Sequence, residues 1–370
     1  MAGVGGQRSR ALGKATTGHP NRSTIRMRYD THRTVHGSDG SAAGGRYSDL
    51  SEWQRSIKSR TSVSPKILSG TATGIARGGY PAKQKFTEDT MKADHHIHII
   101  LDGVDWRGAI ARHQKAVDKT WVKQILKKYQ DSGYTYLRDG GDRWGAGAYA
   151  RQIAPEYGIT YRTPLAPLCK VGCYGGFIGV SWENLSEYAD LVKSYRKNGA
   201  DFIKIMISGL MDFDRFGALS QPGLPRDEIR ELVHVAHEEG FAVMAHANGP
   251  RTVEAAAVAG VDSVEHGAYL DEDALCAMKE SGTVWVPTLS TIGNLRGKGR
   301  FDESAVQKIL ESALQNVESF AKIGGLIAAG TDAGAWAVPH AANTEESLLA
   351  QAGVYDEQLN LGAAMIQNKF

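Results

Sequence analysis

Cysteine is scarce in this sequence. The 370 residues include only Cys169, Cys173 and Cys276. Three cysteines are too few for a disulfide framework, or for a zinc site made of cysteines alone, which needs about four. This usage fits a reducing compartment, and we expect a cytoplasmic protein.

Long apolar runs are also missing. No stretch approaches the roughly 18 apolar residues of a membrane-spanning helix, so we expect no membrane partner. The first residues, MAGVGGQRSRALGK, lack the apolar region of a secretory signal. The hydrophobic fraction of 42% suits a globular enzyme with one large domain or two ordinary ones.

The net charge of +2 hides an uneven distribution along the chain. Residues 1–90 carry 15 Lys/Arg and 6 Asp/Glu, whereas the remainder carries 28 and 35. The first segment is rich in Gly, Ser, Thr and Arg and lacks periodicity, so it has little apolar surface to offset the entropy cost of ordering. We predict that residues 1–90 are a disordered, dispensable leader and that residues 91–370 form the folded domain. A basic arm that binds nucleic acid is the alternative, but its aromatic residues are scattered and form no stacking platform.

From residue 95 onward, strand-like and helix-like patterns alternate. Strands are predicted at 95–100, 134–138, 159–164, 202–207, 241–245, 262–265, 283–287 and 326–330. Helices are predicted at 115–131, 145–157, 182–197, 225–239, 251–259, 271–280 and 302–323, with a last helix at 343–353. Eight strand–helix units predict an α/β fold of the (β/α)8 TIM-barrel type. A doubly wound open sheet is the alternative, although no Gly-x-Gly-x-x-Gly follows an early strand.

The stretch MKADHHIHIIL at 91–101 carries the first candidate site. Side chains alternate between the two faces of a strand, which places Asp94, His96 and His98 on one face. Two imidazoles spaced in this way can hold one divalent ion, and imidazole suits zinc and its neighbours in the first transition row. The His-x-His pattern alone is a weak signal, because many such pairs are ordinary polar residues.

Later strands carry further polar side chains at or near their carboxyl ends, the face where (β/α)8 barrels place their active sites. They are Lys204 in DFIKIMISG, His246 in FAVMAHANG, His266 in DSVEHG and Asp332 in LIAAGTDAG. Taken singly, each histidine could be structural and Asp332 could cap a helix. Lys204 is harder to explain, because burying an uncompensated ammonium is strongly unfavourable. Their occurrence together indicates a functional site.

This set of residues resembles that of the amidohydrolase superfamily, over roughly residues 91–370. The stretches GYTYLRDGG, IKIMISG, AHANGP and VEHG are most similar to its imidazolonepropionase and prolidase-like branch. The resemblance implies two divalent metal ions, zinc first with manganese, iron or cobalt as alternatives. It also implies six ligands: His96, His98, Lys204, His246, His266 and Asp332. His96, His98 and Asp332 would hold the first ion, His246 and His266 the second, and the carbamate of Lys204 would bridge them.

The same resemblance implies a hydrolase in which a metal-bound hydroxide cleaves an amide or cyclic amide of a small molecule or dipeptide-like substrate. Its implied catalytic residues are Asp332 as proton shuttle, Lys204 and His266. A deaminase or decarboxylase on the same barrel is one alternative, and a non-catalytic protein that binds through its leader is another. Self-association stays open. Typical members add a β-sandwich built from both chain ends, but only about 38 residues follow Asp332, so we expect a barrel without a developed sandwich domain.

Several other residues have two interpretations. Arg138 and Asp139 could orient a substrate carboxylate or form an internal ion pair. The segment GCYGG could be a lid over the site, and neither Cys173 within it nor Cys169 beside it is expected to be a ligand. His340 and Tyr269 could contact substrate, but we expect His340 to be exposed. His234 and His237 fall on a helical pattern and are expected on its solvent side.

Overall fold

The computed structural model describes residues 92–370. The prediction that residues 1–90 are a disordered, dispensable leader therefore lies outside the described residues. Within them, no helix is long and apolar enough to cross a membrane.

The described chain contains ten strands in two sheets. In chain order they are β1 (Lys92–Ile97), β2 (Tyr134–Asp139), β3 (Thr160–Arg162), β4 (Leu168–Lys170), β5 (Val180–Trp182), β6 (Ile203–Met206), β7 (Val243–Ala247), β8 (Ser263–His266), β9 (Val284–Val286) and β10 (Leu326–Ile327). The smaller sheet has the order β1-β2-β3, and the larger has the order β10-β9-β8-β7-β6-β4-β5. Every pairing between these strands is parallel.

The two sheets are arcs of one ring. The third barrel strand is shared between them, since β3 pairs with β2 while β4 pairs with β6. Pro164 and Pro167 lie between β3 and β4, and proline has no N–H to continue a ladder. We call residues 163–167 the third-strand break. β5 then extends the larger sheet beyond β4.

Backbone hydrogen bonds close the ring on its other side, between β1 and the chain that follows β10. The amides of His95 and His98 donate to the carbonyls of Ala329 and Ala333, at 3.0 and 2.7 Å. In the opposite direction, the amide of Asp332 donates to the carbonyl of His96 at 2.7 Å. The predicted (β/α)8 barrel is therefore confirmed. Residues 92–370 contain no sheet outside this ring and its β5 extension. The expected lack of a sandwich domain, which would use both chain ends, stays a prediction.

Helices surround the ring. They are α1 (Trp106–His113), α2 (Lys119–Asp131), α3 (Ala146–Ile153), α4 (Leu185–Lys197), α5 (Arg226–Glu238), α6 (Pro250–Ala259), α7 (Glu272–Ser281), α8 (Ser290–Gly293), α9 (Glu303–Lys322), α10 (Thr344–Gln351) and α11 (Asp356–Lys369). Each predicted helix matches one of these. The predicted helix at 145–157 corresponds to α3, and its last residues, 154–157, form a 3-10 turn. Side chains cap several amino ends; Asp271, for example, accepts from the amide of Ala274 at 3.0 Å.

The segment 343–353 was expected to be the last helix, and this expectation is wrong. It corresponds to α10, and α11 follows it. α11 closes the amino-terminal end of the barrel, because Ile366 and Phe370 pack with Phe202, Met244 and Val284 in one buried cluster. Helix and strand approach closely there: a Cβ at Gly362 would lie only 2.0 Å from the carbonyl oxygen of Ile327.

Candidate metal centre

Four histidines and one aspartate meet at the carboxyl ends of the barrel strands. The Nε2 atoms of His96 and His98 lie 3.7 and 3.5 Å from Oδ1 of Asp332. The imidazole of His266 lies 5.1 Å from that of His96 and 4.5 Å from that of His246, measured between ring centroids. Residues that are far apart in the sequence thus share one pocket.

Lys204 lies in the same pocket. It is 1% exposed on β6, and its Nζ has no hydrogen-bond partner among the described residues. Burial is the largest cause that lowers the pKa values of all four histidines, and the nearby charge of Lys204 lowers them further. Burial also lowers the pKa of Lys204 itself, while the charges of Glu265 and Asp332 act in the opposite direction.

The backbone is strained where the pocket is built. His266 and Asp332 have φ values of 68° and 57°, in the left-handed region that non-glycine residues seldom occupy. Asp94 helps to hold this conformation, because its carboxylate accepts from the amide and hydroxyl of Thr331 at 2.9 and 2.6 Å. Asp94 thereby fastens β1 to the residue before Asp332.

The donor atoms fit divalent metal ions. One nitrogen of each of three imidazoles is engaged: Nδ1 of His96 by Glu265 at 2.7 Å, Nδ1 of His266 by Thr288 at 2.7 Å, and Nε2 of His246 by the carbonyl of Gly209 at 3.2 Å. The other nitrogen of each ring can then serve as a ligand, and Nε2 of His96 has no hydrogen-bond partner within residues 92–370. The donor atoms of His96, His98 and Asp332 lie within 4.8 Å of one another. Burial also favours neutral imidazole, the form that binds metals.

Arg138 and Asp139 lie behind the pocket and contact other protein groups. Nη2 of the fully buried Arg138 donates to Oε1 of Glu265 at 2.8 Å, so the internal ion pair is the correct alternative, with Glu265 as the partner. Oδ1 of Asp139 accepts from the amide of Ile99 and Oδ2 accepts from the hydroxyl of Thr163, both at 3.2 Å. Burial raises the pKa of Asp139 to about 7.

His340 is not exposed, and that expectation is wrong. Only 3% of the residue is accessible. Its Nε2 donates to the carbonyl of Leu101 at 2.9 Å, and the hydroxyl of Tyr129 donates to its Nδ1 at 3.2 Å. The chain after β10 therefore packs this side chain against α2. His234 and His237 are exposed on α5, as expected.

Aromatic side chains surround the mouth of the barrel. In the loop between β4 and β5, which contains the GCYGG segment, the ring of Tyr174 lies 4.9 Å from that of His246. Loops after β6, β8, β9 and β10 bring together further ring pairs at 5.3–5.9 Å: Phe216 with Tyr269, Phe213 with Phe301, and Phe301 with Trp336. The guanidinium of Arg300 lies 4.3 Å from the ring of Trp336. Beyond Tyr269 and the GCYGG segment, this cluster could not be predicted from the sequence, because these loops carry no periodic pattern.

Gly140 leaves space for a candidate ligand. A Cβ at this position would lie 2.2 Å from Cε1 of His98. We expect Gly140→Ala to displace the imidazole of His98 and to weaken metal binding by about 10–100-fold. Metal titration followed by thermal unfolding would measure the effect. Gly176→Ala is the matched control, since its Cβ would meet nothing closer than 3.7 Å; equal metal affinity of the two variants would contradict the prediction.

Together, the closed ring and this pocket define a (β/α)8-barrel protein with a histidine-rich centre at the carboxyl ends of its strands. The chain belongs to the amidohydrolase family, whose model matches residues 151–363. The predicted superfamily is therefore confirmed.

Individual relatives agree with this assignment. The ochratoxinase of Aspergillus niger is 32% identical over 281 residues, which cover 65% of this chain and 56% of that protein. The chain thus spans little more than half the length of this curated relative. A solved Xaa-Pro dipeptidase is similar with a TM-score of 0.62 and 22% identity, over 75% of each chain. A putative prolidase from Bifidobacterium longum has a TM-score of 0.59 and 24% identity, over 75% of this chain and 68% of its own. These two structures share the fold.

Proposed function

We propose that this protein hydrolyses a carbon–nitrogen bond, in an amide or cyclic amide of a small molecule or dipeptide-like substrate, with two divalent metal ions. Zinc is the first choice, and manganese, iron or cobalt are alternatives. The observation that carries the proposal is the convergence of His96, His98, Asp332, His246 and His266 around a buried Lys204, whose Nζ forms no hydrogen bond with the described residues. The similarity to ochratoxinase supports it.

Each residue of the centre has a role in this proposal. His96, His98 and Asp332 would hold one ion, His246 and His266 would hold the other, and Lys204, as a carbamate, would supply carboxylate oxygens to the centre. When bound, the ions supply a Lewis acid that polarises the scissile carbonyl and lowers the pKa of water. Asp332 accepts the proton of the attacking water and delivers it to the leaving nitrogen. The products are a carboxylate and an amine, or an opened ring.

The aromatic mouth indicates which amides to test first. Phe216 and Tyr269 lie on one flank, and Phe301 and Trp336 on another. Aromatic side chains bind apolar and aromatic groups well and hold them in defined orientations. We therefore propose a substrate with an aromatic or large apolar group next to the scissile bond. A cytoplasmic location and self-association stay predictions.

The test combines elemental analysis with a substrate panel. Purified protein is expected to contain two metal ions per chain, and the metal-loaded protein is expected to hydrolyse some N-acyl amino acids, dipeptides or cyclic amides, with aromatic ones preferred over small ones. Detection of ammonia and carbon dioxide would reveal deamination or decarboxylation instead. The proposal would be wrong if the protein held no metal and neither zinc nor manganese produced activity.

A further inference from the structure

We propose that Glu265 is a positioning residue that holds the proton of His96 on Nδ1 and so keeps Nε2 free as the metal-binding nitrogen. The inference deepens the proposed function, on which it rests, by assigning the group that prepares one ligand. Glu265 was not among the residues expected to act, although it precedes His266 in the VEHG segment.

Contacts on both carboxylate oxygens support this role. Oε2 of Glu265 lies 2.7 Å from Nδ1 of His96. Oε1 accepts two other hydrogen bonds, from Nη2 of Arg138 at 2.8 Å and from the hydroxyl of Ser263 at 2.6 Å. The side chains of His96, Glu265 and Arg138 are all 0% exposed, so water does not compete for these contacts. An ionised carboxylate only accepts hydrogen bonds, so Nδ1 of His96 must donate.

A proton held on Nδ1 of His96 determines the state of the other ring nitrogen, Nε2. A neutral imidazole with its proton on Nδ1 carries a lone pair on Nε2. Nε2 of His96 accepts no hydrogen bond from the part of the chain that the structure describes, and it lies 3.7 Å from Oδ1 of Asp332. A carboxylate behind a metal-ligating histidine orients the ring and makes it a stronger ligand.

His96 differs from His266 in this respect. The partner of Nδ1 in His266 is the hydroxyl of Thr288, at 2.7 Å. A hydroxyl can donate or accept, so this contact fixes no tautomer. Glu265 is anchored from behind by Arg138 and Ser263, and can only accept from His96.

Glu265→Gln tests the proposal with little change of shape. Arg138 and Ser263 both donate to Oε1, so the amide oxygen of glutamine is expected to take that place. Its NH2 group then occupies the position of Oε2 and donates to Nδ1 of His96. The proton of His96 must move to Nε2, the nitrogen that the metal needs.

The experiment is ¹⁵N NMR of metal-free protein labelled at histidine, in which chemical shifts distinguish the two tautomers. The signals of His96 are those that disappear in His96→Asn. We expect the proton on Nδ1 in the wild type and on Nε2 in Glu265→Gln, with zinc affinity about 10–100-fold lower in the variant by competition titration. Ser263→Ala, which touches Glu265 but not His96, is expected to keep the wild-type tautomer and to lose less affinity.

The results separate this inference from the proposed function. A wild-type spectrum with the proton of His96 on Nε2 would overturn the inference, even in an active enzyme and even if Glu265→Gln failed to fold. An unchanged tautomer in a folded Glu265→Gln protein would overturn it as well. If the protein hydrolysed none of the amides but His96 changed tautomer as described, the proposed function would be rejected. The role of Glu265 would still hold.

Discussion

Asp332→Asn is expected to reduce kcat by about 10²–10⁴-fold, the range that a positioned general acid–base contributes, while KM changes little. In the proposed mechanism, Asp332 takes the proton from water and passes it to the leaving nitrogen, and an amide cannot do this. Its Oδ1 lies 3.5 Å from Nε2 of His98, at the mouth where the substrate would bind.

The substitution should leave the fold intact. Asp332 has a φ of 57°, and asparagine tolerates this left-handed conformation well. Asp271→Asn is a matched control, because Asp271 caps α7 and asparagine is an equally good N-cap. Its activity should equal that of the wild type.

Metal analysis of the same variant distinguishes the two roles of Asp332. Two bound ions with lost turnover would indicate proton transfer, whereas fewer ions would indicate that Asp332 acts mainly as a ligand. Near-normal turnover would show that the base lies elsewhere, and the mechanism would then be wrong.

Lys204→Met is expected to abolish metal-dependent activity and also to stabilise the metal-free protein. Nζ of Lys204 is buried and has no hydrogen-bond partner between residues 92 and 370. Replacing buried charged groups with apolar ones of similar volume is often neutral or stabilising by about 1–4 kcal/mol. Metal ions should raise the melting temperature of the wild type but have much less effect on the variant. A variant less stable than the metal-free wild type would contradict this account.

Lys170→Met is the matched control, because Lys170 also lies on a barrel strand but is paired. Its Nζ contacts both carboxylate oxygens of Glu228, at 2.6 and 2.9 Å. This substitution should not stabilise the protein, and metal binding should persist.

Carboxylation of Lys204 has its own test. The neutral amine attacks carbon dioxide, a nitrogen–carbon bond forms and one proton leaves, so ¹³C-bicarbonate should produce a carbamate signal in the wild type and none in Lys204→Ala. Short-chain carboxylic acids should partly restore activity to Lys204→Ala by filling the position of the missing group. Full activity of Lys204→Ala without them would exclude the bridge.

Much of the barrel could be predicted from local pattern. Apolar runs separated by amphipathic segments located the eight strand–helix units, since each reflects the period of its own element. β4 and β5 were missed because both are short and lie within residues 164–182, a stretch rich in proline and glycine in which no period is visible. α11 was missed because DEQLNLGAAMIQNK presents few large apolar side chains, and its role depends on Phe370 reaching the far end of the barrel.

The residues that meet in the pocket could be located because each stands at or near a strand end beside an apolar run, whereas their role as ligands rests on the resemblance and stays a prediction. Their partners could not be located, since Glu265 meets His96 across 169 residues of sequence and nothing local marks that contact. The space left by Gly140 for His98 is equally non-local. The burial of His340 depends on how a loop packs against α2, which no periodicity reveals.

The third-strand break has a consequence for cooperativity. It leaves the backbone ladder interrupted between an arc of three strands and one of seven. His96 lies on the smaller arc, whereas Lys204, His246 and His266 lie on the larger. Ions held by both arcs would act as a cross-link, so partial unfolding of β1–β3 would require their release. Without metal ions the two arcs could open separately, whereas with ions bound they would open together. Metal binding would therefore slow the hydrogen exchange of backbone amides, and most strongly in the smaller arc.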